Sequence, residues 1–253
     1  MTPILLIGGA GRMGGALVAG WRLAGAFPPS QILILDPAAR LHPGAAAMRA
    51  AKTVVLAVKP QNWREAAAEV APMLAPDAII VSIAAGVATP DIAKAFGERR
   101  VARIMPTTAA AVGQGTASIY AADPEARARA HALFEPVGAV VDLADEDLMH
   151  VATGVSGSAP AYFYAFVEAL AAAGEANGLS KDQAETLARA TMAGAAALMS
   201  TSEQDPAALR RQVTSPGGTT EAALKVLMGD AGLGPLLEQA VRAATERSKE
   251  LGS

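Results

Sequence analysis

The chain has 253 residues and a formal net charge of −3 at pH 7, long enough to bury the cores of two ordinary domains without covalent cross-links. It contains no cysteine, so disulfides, thiolate metal sites, iron–sulfur clusters and a cysteine nucleophile are excluded. Acidic and basic residues are interspersed, and no run of lysine or arginine could follow a phosphate backbone, so we expect no nucleic-acid partner.

The histidines also argue against a metal site. His42, His131 and His150 lie far apart and lack the spacing typical of metal ligands, so no metal is expected. No apolar stretch approaches the roughly 20 residues that span a bilayer. The first strand-like segment starts too close to Met1 to leave room for a secretory leader. The sequence therefore predicts a cytoplasmic protein without a membrane partner.

The first half of the chain alternates short apolar runs with helical stretches. These runs are too apolar for a sheet with one exposed face, so they predict an α/β fold of the Rossmann type, with a mostly parallel sheet, over residues 1–146. Ligands of such sheets bind beyond the carboxyl ends of the strands. The predicted strands are 4–7, 31–35, 53–58, 78–83, 100–104 and, with a weaker pattern, 117–120 and 139–142.

A glycine-rich motif follows the first predicted strand and opens a helix. Its sequence fits GxGxxG, in which the first glycine permits a tight turn, the second admits a pyrophosphate and the third lets helix and strand pack closely. Free amides at the positive end of the helix dipole can hold the phosphate charge. The predicted cofactor-binding residues of this loop are Gly9, Ala10, Gly11, Arg12, Met13 and Gly14.

The end of the second predicted strand bears on the choice of nucleotide. Asp36 stands 27 residues after Gly9, where an acidic side chain can hydrogen-bond the adenosine ribose, an arrangement that favours NADH. Arg12 and Arg40 are close enough in sequence to accept the 2′-phosphate of NADPH instead, and Asp36 could simply be a turn residue before Pro37. The cofactor is therefore NADPH or NADH.

Residues after two further strands are expected to border the nicotinamide half of the cofactor at the same sheet edge. For Lys59, a plain solvated strand end is the alternative. These additional predicted cofactor-binding residues are Val58, Lys59, Pro60, Ala84 and Ala85.

From about Asp145 the pattern changes to helices alone, which predicts a second, all-α domain over residues 147–253. Its long stretches at 161–176, 181–200 and 235–251 are rich in alanine and poor in charge. Such a surface is more apolar than a lone helical bundle needs, so we predict that it is buried against a second subunit. A compositional bias toward alanine is the alternative.

A second anion-binding loop is predicted at residues 215–220, which read Ser-Pro-Gly-Gly-Thr-Thr before an apolar-periodic helix. Its glycines expose a cluster of amides at a helix start, which attracts an anion. A substrate carboxylate is the natural occupant, because the first loop already accommodates the phosphates. The alternative is ordinary N-capping by Ser215 or Thr219. The predicted substrate-binding residues here are Ser215, Gly217, Gly218 and Thr219.

Six segments spread over almost the whole chain form a set. They read IGGAGRMG at 7–14, LAVKPQ at 56–61, VSIAAGV at 81–87, MPTT at 105–108, GVSGSAPAY at 154–162 and QVTSPGGTT at 212–220. In order and approximate spacing this set resembles the pyrroline-5-carboxylate reductase family. The last two segments are much more diagnostic than a glycine loop.

The resemblance implies a Rossmann domain followed by a helical dimerisation domain, with the active site at their junction and assisted by the partner subunit. Homodimers of this family commonly assemble further, often into decamers. The implied oxidoreductase reaction belongs to amino-acid biosynthesis, as the last step of proline biosynthesis. It reduces the cyclic imine 1-pyrroline-5-carboxylate to L-proline with NAD(P)H.

The resemblance also implies roles for two side chains. The catalytic candidate is Thr220, whose hydroxyl would lie beside the ring nitrogen and either donate a proton or hold the imine in place. Because a hydroxyl is a poor acid, we favour the orienting role. Glu203 falls where the family often places an acid near the substrate; a solvated loop residue before Pro206 is the alternative. Ser156–Ala159 could admit the nicotinamide side of the site or merely allow close helix packing.

The chain departs from the family's pattern in several places. Between Asp36 and Thr53 there are 16 residues, where the family usually has a helix, a short strand and another helix, so the adenosine pocket is reduced. Thr107, Ala109 and Ala159 replace the residues usual in the family around the nicotinamide pocket. The rival functions are an imine or keto reductase for another small carboxylate, such as piperideine carboxylate, and a non-catalytic NAD(P)-binding protein.

Overall fold

The computed structural model describes residues 2–251. Two compact units can be distinguished. One comprises the chain up to Gly157 together with the residues from Arg242 onward, and the other is Ser158–Val241. The domain boundary predicted between residues 146 and 147 stays a prediction.

The first unit is built on a seven-stranded sheet with the strand order β2-β1-β3-β4-β5-β6-β7. All neighbouring pairs are parallel except β5 and β6, which are antiparallel. The predicted α/β fold with a mostly parallel sheet is thus confirmed. The strands are β1 Ile4–Ile7, β2 Ile32–Leu35, β3 Thr53–Leu56, β4 Ile79–Ser82, β5 Val101–Pro106, β6 Gly115–Tyr120 and β7 Gly138–Asp142.

The predicted change from alternating strands and helices to helices alone is seen in the structure. Among the described residues, six α-helices lie before residue 153, and no strand follows it. The predicted stretches at 161–176, 181–200 and 235–251 correspond closely to α7, α8 and α11. The α-helices are α1 Arg12–Leu23, α2 Ala45–Ala50, α3 Trp63–Val70, α4 Thr89–Ala95, α5 Pro124–Phe134, α6 Leu148–Ala152, α7 Ala159–Ala176, α8 Lys181–Thr201, α9 Pro206–Gln212, α10 Thr219–Leu227 and α11 Leu233–Glu250.

Successive side chains of the central strands point to opposite faces of the sheet, and an apolar core lies on each face. On β1, Leu6 faces a core that includes residues of α1 and α5, whereas Leu5 faces a core that includes residues of α3 and α4. Both leucines are fully buried, as expected for a strand that is covered on both faces. Trp21 of α1 donates a hydrogen bond from Nε1 to the carbonyl of Leu133, at 2.7 Å, and so ties α1 to α5.

A buried ion pair fixes the chain where it leaves the sheet. Arg103 of β5 is 2% exposed and donates to Glu146 Oε1 at 3.0 Å. Glu146 also accepts hydrogen bonds from the amide and the hydroxyl of Thr89, at 2.8 and 2.7 Å. Because an unpaired buried charge is costly, this cluster holds the start of α4 and the segment before α6 against β5.

In the second unit, α7 and α8 form a helical hairpin. The turn between them ends in a capping box, in which the side chains of Ser180 and Gln183 each bond the other residue's amide. None of the residues of α7, all of them described, is buried within the single chain. Its large apolar side chains Phe163 and Tyr164 are 58% and 67% exposed. An apolar helix face of this kind is typical of an interface.

Among residues 2–251, no helix is long and apolar enough to cross a membrane.

His131 gives the first unit a predictable dependence on pH. Its ring lies between Glu135 Oε1, 2.7 Å from Nδ1, and Asp142 Oδ2, 3.0 Å from Nε2. Both ring nitrogens can donate to these carboxylates only in the imidazolium form. The hydrogen bond to Glu135, with a smaller contribution from Asp142, therefore raises the pKa of His131 above its ordinary value of 6.5.

A raised pKa in the folded state stabilises the protein fully below the unfolded value near 6.5, and this contribution disappears as the pH rises through the folded value. We expect His131→Gln to lower the free energy of unfolding at pH 5.5 by about 0.5 to 1 kcal/mol, and to change it much less at pH 9. Urea denaturation at the two pH values measures this difference. His42→Gln, at an exposed position, is the control. An equal loss at both pH values would contradict the assignment.

Candidate active site

The carboxyl ends of four neighbouring parallel strands bring the predicted cofactor residues of the first unit to one sheet edge. The strand ladder continues past the strand ends, since the amide of Gly8 donates to the carbonyl of Leu35 at 2.8 Å and that of Ala57 donates to the carbonyl of Ile7 at 2.9 Å. The loops after β1, β2 and β3 are thereby held side by side. Dinucleotides bind at this edge of open α/β sheets.

The glycine-rich loop opens α1 as the sequence predicts. Gly11 is the N-cap, in extended conformation and without a side-chain cap, and the amide of Gly15 donates to its carbonyl at 2.8 Å. By helix geometry, the preceding first-turn amides of Arg12 and Met13 have no partner within the helix. They are donors at the positive end of the helix dipole, where a phosphate binds favourably.

Gly14 lies where helix and strand approach most closely. A Cβ at this position would be 2.6 Å from the carbonyl oxygen of Gly8 and 2.8 Å from the Cα of Gly9. These distances are too short for any side chain, so a larger residue would push α1 away from β1. The position of the loop over the sheet therefore depends on glycine at 14.

Asp36 contacts this loop directly. The residue is 8% exposed; its Oδ2 accepts a hydrogen bond from the amide of Ala10 at 2.9 Å, and its Oδ1 accepts one from the amide of Ala39 at 3.2 Å. The second bond is that of a turn residue, as the plain alternative expects. The first fixes the carboxylate against the glycine-rich loop, at the end of the sheet where an adenosine ribose would lie.

A cavity of about 420 Å³ lies beside these groups. Its wall includes Asp36 and Lys59 and also one face of α3 with the residue before it, which the sequence analysis did not identify. Asn62, Glu65 and Glu69 belong to that face. The signal was their spacing of i, i+3 and i+7, which places them on one side of a helix that starts beside the cofactor edge.

The remaining predicted cofactor residues lie at the same edge but differ in exposure. β3 ends at Leu56, two residues before the predicted end, because a 3-10 turn begins at Pro60 with Lys59 as its N-cap. Val58 and Lys59 line the cavity. Ala84 is 2% exposed and Ala85 is half-buried; both follow β4.

The second predicted loop lies in the second unit, at the start of α10. The N-cap is Gly218, and it has no side-chain cap, so the alternative of N-capping by Ser215 or Thr219 is wrong. Gly217 has a φ of +71°, a left-handed conformation that costs other residues roughly 1–2 kcal/mol. The amide of Gly218 donates to the carbonyl of Ser215 at 3.0 Å, which closes the turn.

One amide of this loop already donates a hydrogen bond to a carboxylate of the chain itself, that of Glu221. The amide of Gly217 donates to Glu221 Oε2 at 2.7 Å. Sequence reasoning missed this contact because the capping-box signature has Ser or Thr three residues before the acid, and Gly218 stands there. The contact demonstrates that the loop presents an N–H group to a carboxylate. The oxygen belongs to a half-buried side chain at the protein surface.

Thr220 and Glu203 are placed in the same unit. Thr220 is half-buried, and within residues 2–251 its hydroxyl has no hydrogen-bond partner. Glu203 is exposed in the connection between α8 and α9. That connection is bonded to the end of α9, since Gln212 Nε2 donates a hydrogen bond of 2.6 Å to Gln204 Oε1.

Of the small residues at 156–159, Gly157 is the one for which the structure supports a role in close packing. Residues 153–157 form a π-helical turn, a feature often found near functional sites. A Cβ on Gly157 would lie 3.2 Å from the sulfur of Met105, so this glycine allows close packing against β5.

Among the described residues, no three histidine, aspartate or glutamate side chains are grouped so that they could hold a metal ion. The available chemistry is thus a dinucleotide edge in one unit and an anion-binding helix start in the other. Together they define the class of protein as a Rossmann-type NAD(P)-dependent oxidoreductase with a helical second half.

Comparison with known proteins identifies the family. Residues 146–251 match the family model described as pyrroline-5-carboxylate reductase dimerisation. Residues 3–86 match the model described as NADP oxidoreductase, coenzyme F420-dependent. The chain is 40% identical to the pyrroline-5-carboxylate reductase of Pseudomonas aeruginosa, over 99% of this chain and 97% of that protein. It is 34% identical to that of Escherichia coli, over 96% of each.

Solved structures agree. A pyrroline-5-carboxylate reductase from Coxiella burnetii superposes with a TM-score of 0.89 at 35% identity, over 100% of this chain and 99% of the other. The Plasmodium falciparum enzyme with NADP bound gives 0.85 at 27% identity, over 100% and 98%. The chain belongs to the pyrroline-5-carboxylate reductase family, which confirms the resemblance seen in the sequence.

Proposed function

We propose that this protein reduces 1-pyrroline-5-carboxylate to L-proline, with NAD(P)H as the hydride donor, in proline biosynthesis. The supporting observation is that each unit presents backbone amides at a helix start, at residues 9–14 and 215–220, within segments that carry the resemblance to the family. One suits a pyrophosphate and the other a small carboxylate. That both serve one active site is part of the proposal, as are the roles of the individual residues.

We propose that the protein acts as a homodimer. The support is the apolar surface of α7, with Phe163, Tyr164 and Leu170 at 58%, 67% and 43% exposure, in the region that matches the dimerisation model. Covering such side chains contributes about 25 cal/mol per Å² of apolar surface. Assembly of dimers into a decamer and a cytoplasmic location stay predictions.

The first unit fits a nicotinamide dinucleotide, which when bound supplies the hydride. The amides of Arg12 and Met13 would hold the pyrophosphate, while Asp36 and the cavity beside it would receive the adenosine half. Lys59, Pro60, Ala84 and Ala85 would border the nicotinamide half. The side chains of Ala84 and Ala85 are small, which leaves room for a planar ring, while Lys59 also lines the cavity.

The second unit would hold the imine by its carboxylate. The amide of Gly217 and the first-turn amide of Thr219, with the hydroxyls of Ser215 and Thr219, would bind the two oxygens, while Gly218, whose amide closes the turn onto Ser215, would shape the loop. Each charge-assisted hydrogen bond of this kind stabilises the complex by roughly 1.5 to 3 kcal/mol relative to an unpaired group. Glu203 would add a negative charge near a cationic imine.

In the reaction, a hydride adds to C5 of the imine, the C=N double bond becomes a single bond, and the ring nitrogen keeps or receives one proton. Thr220 would lie beside this nitrogen. Its hydroxyl is a poor acid, so we assign it the role of orienting the imine, with the proton coming from water or from an already protonated imine. Fixing the ring in an attack geometry is itself a large part of catalysis.

Replacing the Thr220 hydroxyl tests this role. We expect Thr220→Val to lower kcat by a factor on the order of 10² to 10⁴ while the affinity for NAD(P)H stays nearly unchanged, because the shape is kept and only the hydrogen-bonding group is lost. Thr220→Ser, which restores a hydroxyl, should recover most of the rate. Steady-state kinetics with both nucleotides measures the effect. Full activity of Thr220→Val would refute the assignment.

The activity itself is tested by following NADH and NADPH oxidation separately with 1-pyrroline-5-carboxylate, and with its six-membered homologue as the comparison. We expect turnover of the five-membered imine with a higher kcat/KM. A higher kcat/KM with the six-membered imine would mean that this larger imine, and not 1-pyrroline-5-carboxylate, is the substrate. Absence of oxidation with either imine, in protein that binds nucleotide, would indicate a non-catalytic member of the family.

The contact between Glu221 and Gly217 yields a further prediction. Because the Glu221 carboxylate occupies an amide that the substrate carboxylate needs, Glu221→Ala should lower KM for the imine by roughly 2- to 5-fold, a free-energy change below one hydrogen bond. The KM for the nucleotide should not change. Asp230→Ala, which removes an exposed acid elsewhere in the same unit, is the control. A higher KM in Glu221→Ala would mean that the side chain supports the loop more than it competes.

A further inference from the structure

We propose that Glu146 is a positioning residue for hydride transfer, because its carboxylate fixes the end of the β4–α4 loop, residues 83–88, on which Ala84 and Ala85 lie. This role rests on the proposed function, which places the two alanines beside the nicotinamide, and deepens it by naming what holds them there. Glu146 acts through Thr89, the first residue of α4, and not through a contact with the cofactor or the imine.

The start of the β4–α4 loop is held by the sheet. The amide of Ile83 donates to the carbonyl of Leu56 at 3.1 Å, which extends the ladder between β3 and β4 by one residue. The amide of Ala84 donates to the hydroxyl of Ser82 at 3.3 Å, and Ala84 is 2% exposed. Beyond Gly86, which has a φ of +79°, the path of the loop depends on how the start of α4 is held.

Glu146 holds the start of α4 from 57 residues away. The N-cap of this helix, Ala88, has no side chain that could cap it, and first-turn amides need a partner outside the helix. Glu146 provides one, since its Oε1 accepts a hydrogen bond from the amide of Thr89 at 2.8 Å and its Oε2 accepts one from the Thr89 hydroxyl at 2.7 Å. Two bonds from one carboxylate to one residue fix that residue in orientation as well as in position.

A buried arginine holds Glu146 in turn. Arg103 lies on the face of β5 opposite to Ala102 and Ile104, which belong to the core that includes residues of α1 and α5. Its Nη1 donates to Glu146 Oε1 at 3.0 Å, and the two side chains are 2% and 18% exposed. Within residues 2–251 this is the one ion pair of Arg103, and its Nε and Nη2 are buried without a hydrogen-bond partner. Because moving Glu146 away would leave the guanidinium charge unpaired, the carboxylate is held firmly.

The bonds between Glu146 and Thr89 bear on the reaction and not on the capture of the nucleotide. The pyrophosphate is assigned to the amides of Arg12 and Met13, and none of the hydrogen bonds of Glu146 described above goes to that loop. Hydride transfer, in contrast, depends on where the nicotinamide ring lies, and a displacement of about 1 Å can lower its rate roughly 100-fold. Loosening the end of the β4–α4 loop should therefore lower kcat and leave the affinity for the nucleotide nearly unchanged.

Two variants separate this role from a purely structural one. Glu146→Gln keeps the geometry and loses only the charge, because its amide oxygen can accept from Arg103 and from the Thr89 amide while its NH₂ group donates to the Thr89 hydroxyl. The double variant Arg103→Met/Glu146→Leu removes both buried charges together, which is often neutral for stability, but leaves Thr89 without its acceptor. We expect Glu146→Gln to lower Tm and yet keep kcat within about threefold. We expect the double variant to have the higher Tm of the two and a kcat about 10- to 100-fold below that of the unaltered protein.

Thr89→Pro provides a second test if the double variant does not fold. Proline is tolerated at the first helical position, and it removes both donors of Thr89 while the ion pair of Arg103 and Glu146 remains. Its kcat should fall in the same way. The matched control is Asp123→Ala, which removes the side chain that caps α5, where Asp123 Oδ1 accepts from the amide of Ala126 at 2.8 Å. This control should lower Tm and leave kcat unchanged.

The readouts are kcat with the single-turnover rate of nucleotide oxidation, the Kd of the nucleotide by fluorescence titration, Tm, and amide hydrogen exchange across residues 83–89. Exchange at Thr89 should be faster in the double variant and unchanged in Asp123→Ala. A kcat that follows Tm across the variants would overturn the inference, as would full activity or unaltered exchange in the double variant. Exchange and nucleotide binding are measured without the imine, so failure of the proposed reaction would appear separately, as an unaltered protein that binds nucleotide without turnover.

Discussion

The account of this protein depends on one constraint, the unsatisfied N–H groups in the first turn of an α-helix. Backbone amides that have no partner within the helix must bond to something else, and the helix dipole makes that partner favourably an anion. At α1 the glycine-rich loop leaves such amides next to the carboxyl edge of a parallel sheet. At α10 a glycine with left-handed backbone exposes another set. The proposed chemistry uses both.

In each unit a carboxylate of the chain already bonds to an amide of such a loop, and the two contacts differ in a way that matters for function. Asp36 is buried and holds the amide of Ala10 as part of the structure, so it shapes the site and sets its charge. Glu221 is half-buried and accepts the hydrogen bond of the Gly217 amide at the protein surface. The first contact is therefore part of the fixed structure of the cofactor edge, whereas the second holds an amide that we assign to the substrate carboxylate.

Much of this organisation could be predicted from the sequence because it is encoded locally. Apolar runs such as 4–7 and 79–82 specify strands buried on both faces, and Gly14 signals a contact too close for any side chain.

Side-chain partners were harder to predict. The bond from Ala10 to Asp36 and the face formed by Asn62, Glu65 and Glu69 depend on how loops far apart in sequence meet at the sheet edge. The ion pair of Arg103 and Glu146 joins residues 43 apart, and no short motif announces it. The alternative of N-capping by Ser215 or Thr219 is wrong because Gly218 takes the cap position, and the Glu221 carboxylate bonds to the loop instead.

The most direct test of the central claim is a crystal structure of the protein with NAD⁺ and L-proline bound, the product pair of the proposed reaction. The account predicts the pyrophosphate on the amides of Arg12 and Met13. It also predicts the proline carboxylate on the amides of Gly217 and Thr219, with the Glu221 side chain displaced. A proline carboxylate bound elsewhere, with Glu221 still on the Gly217 amide, would contradict it.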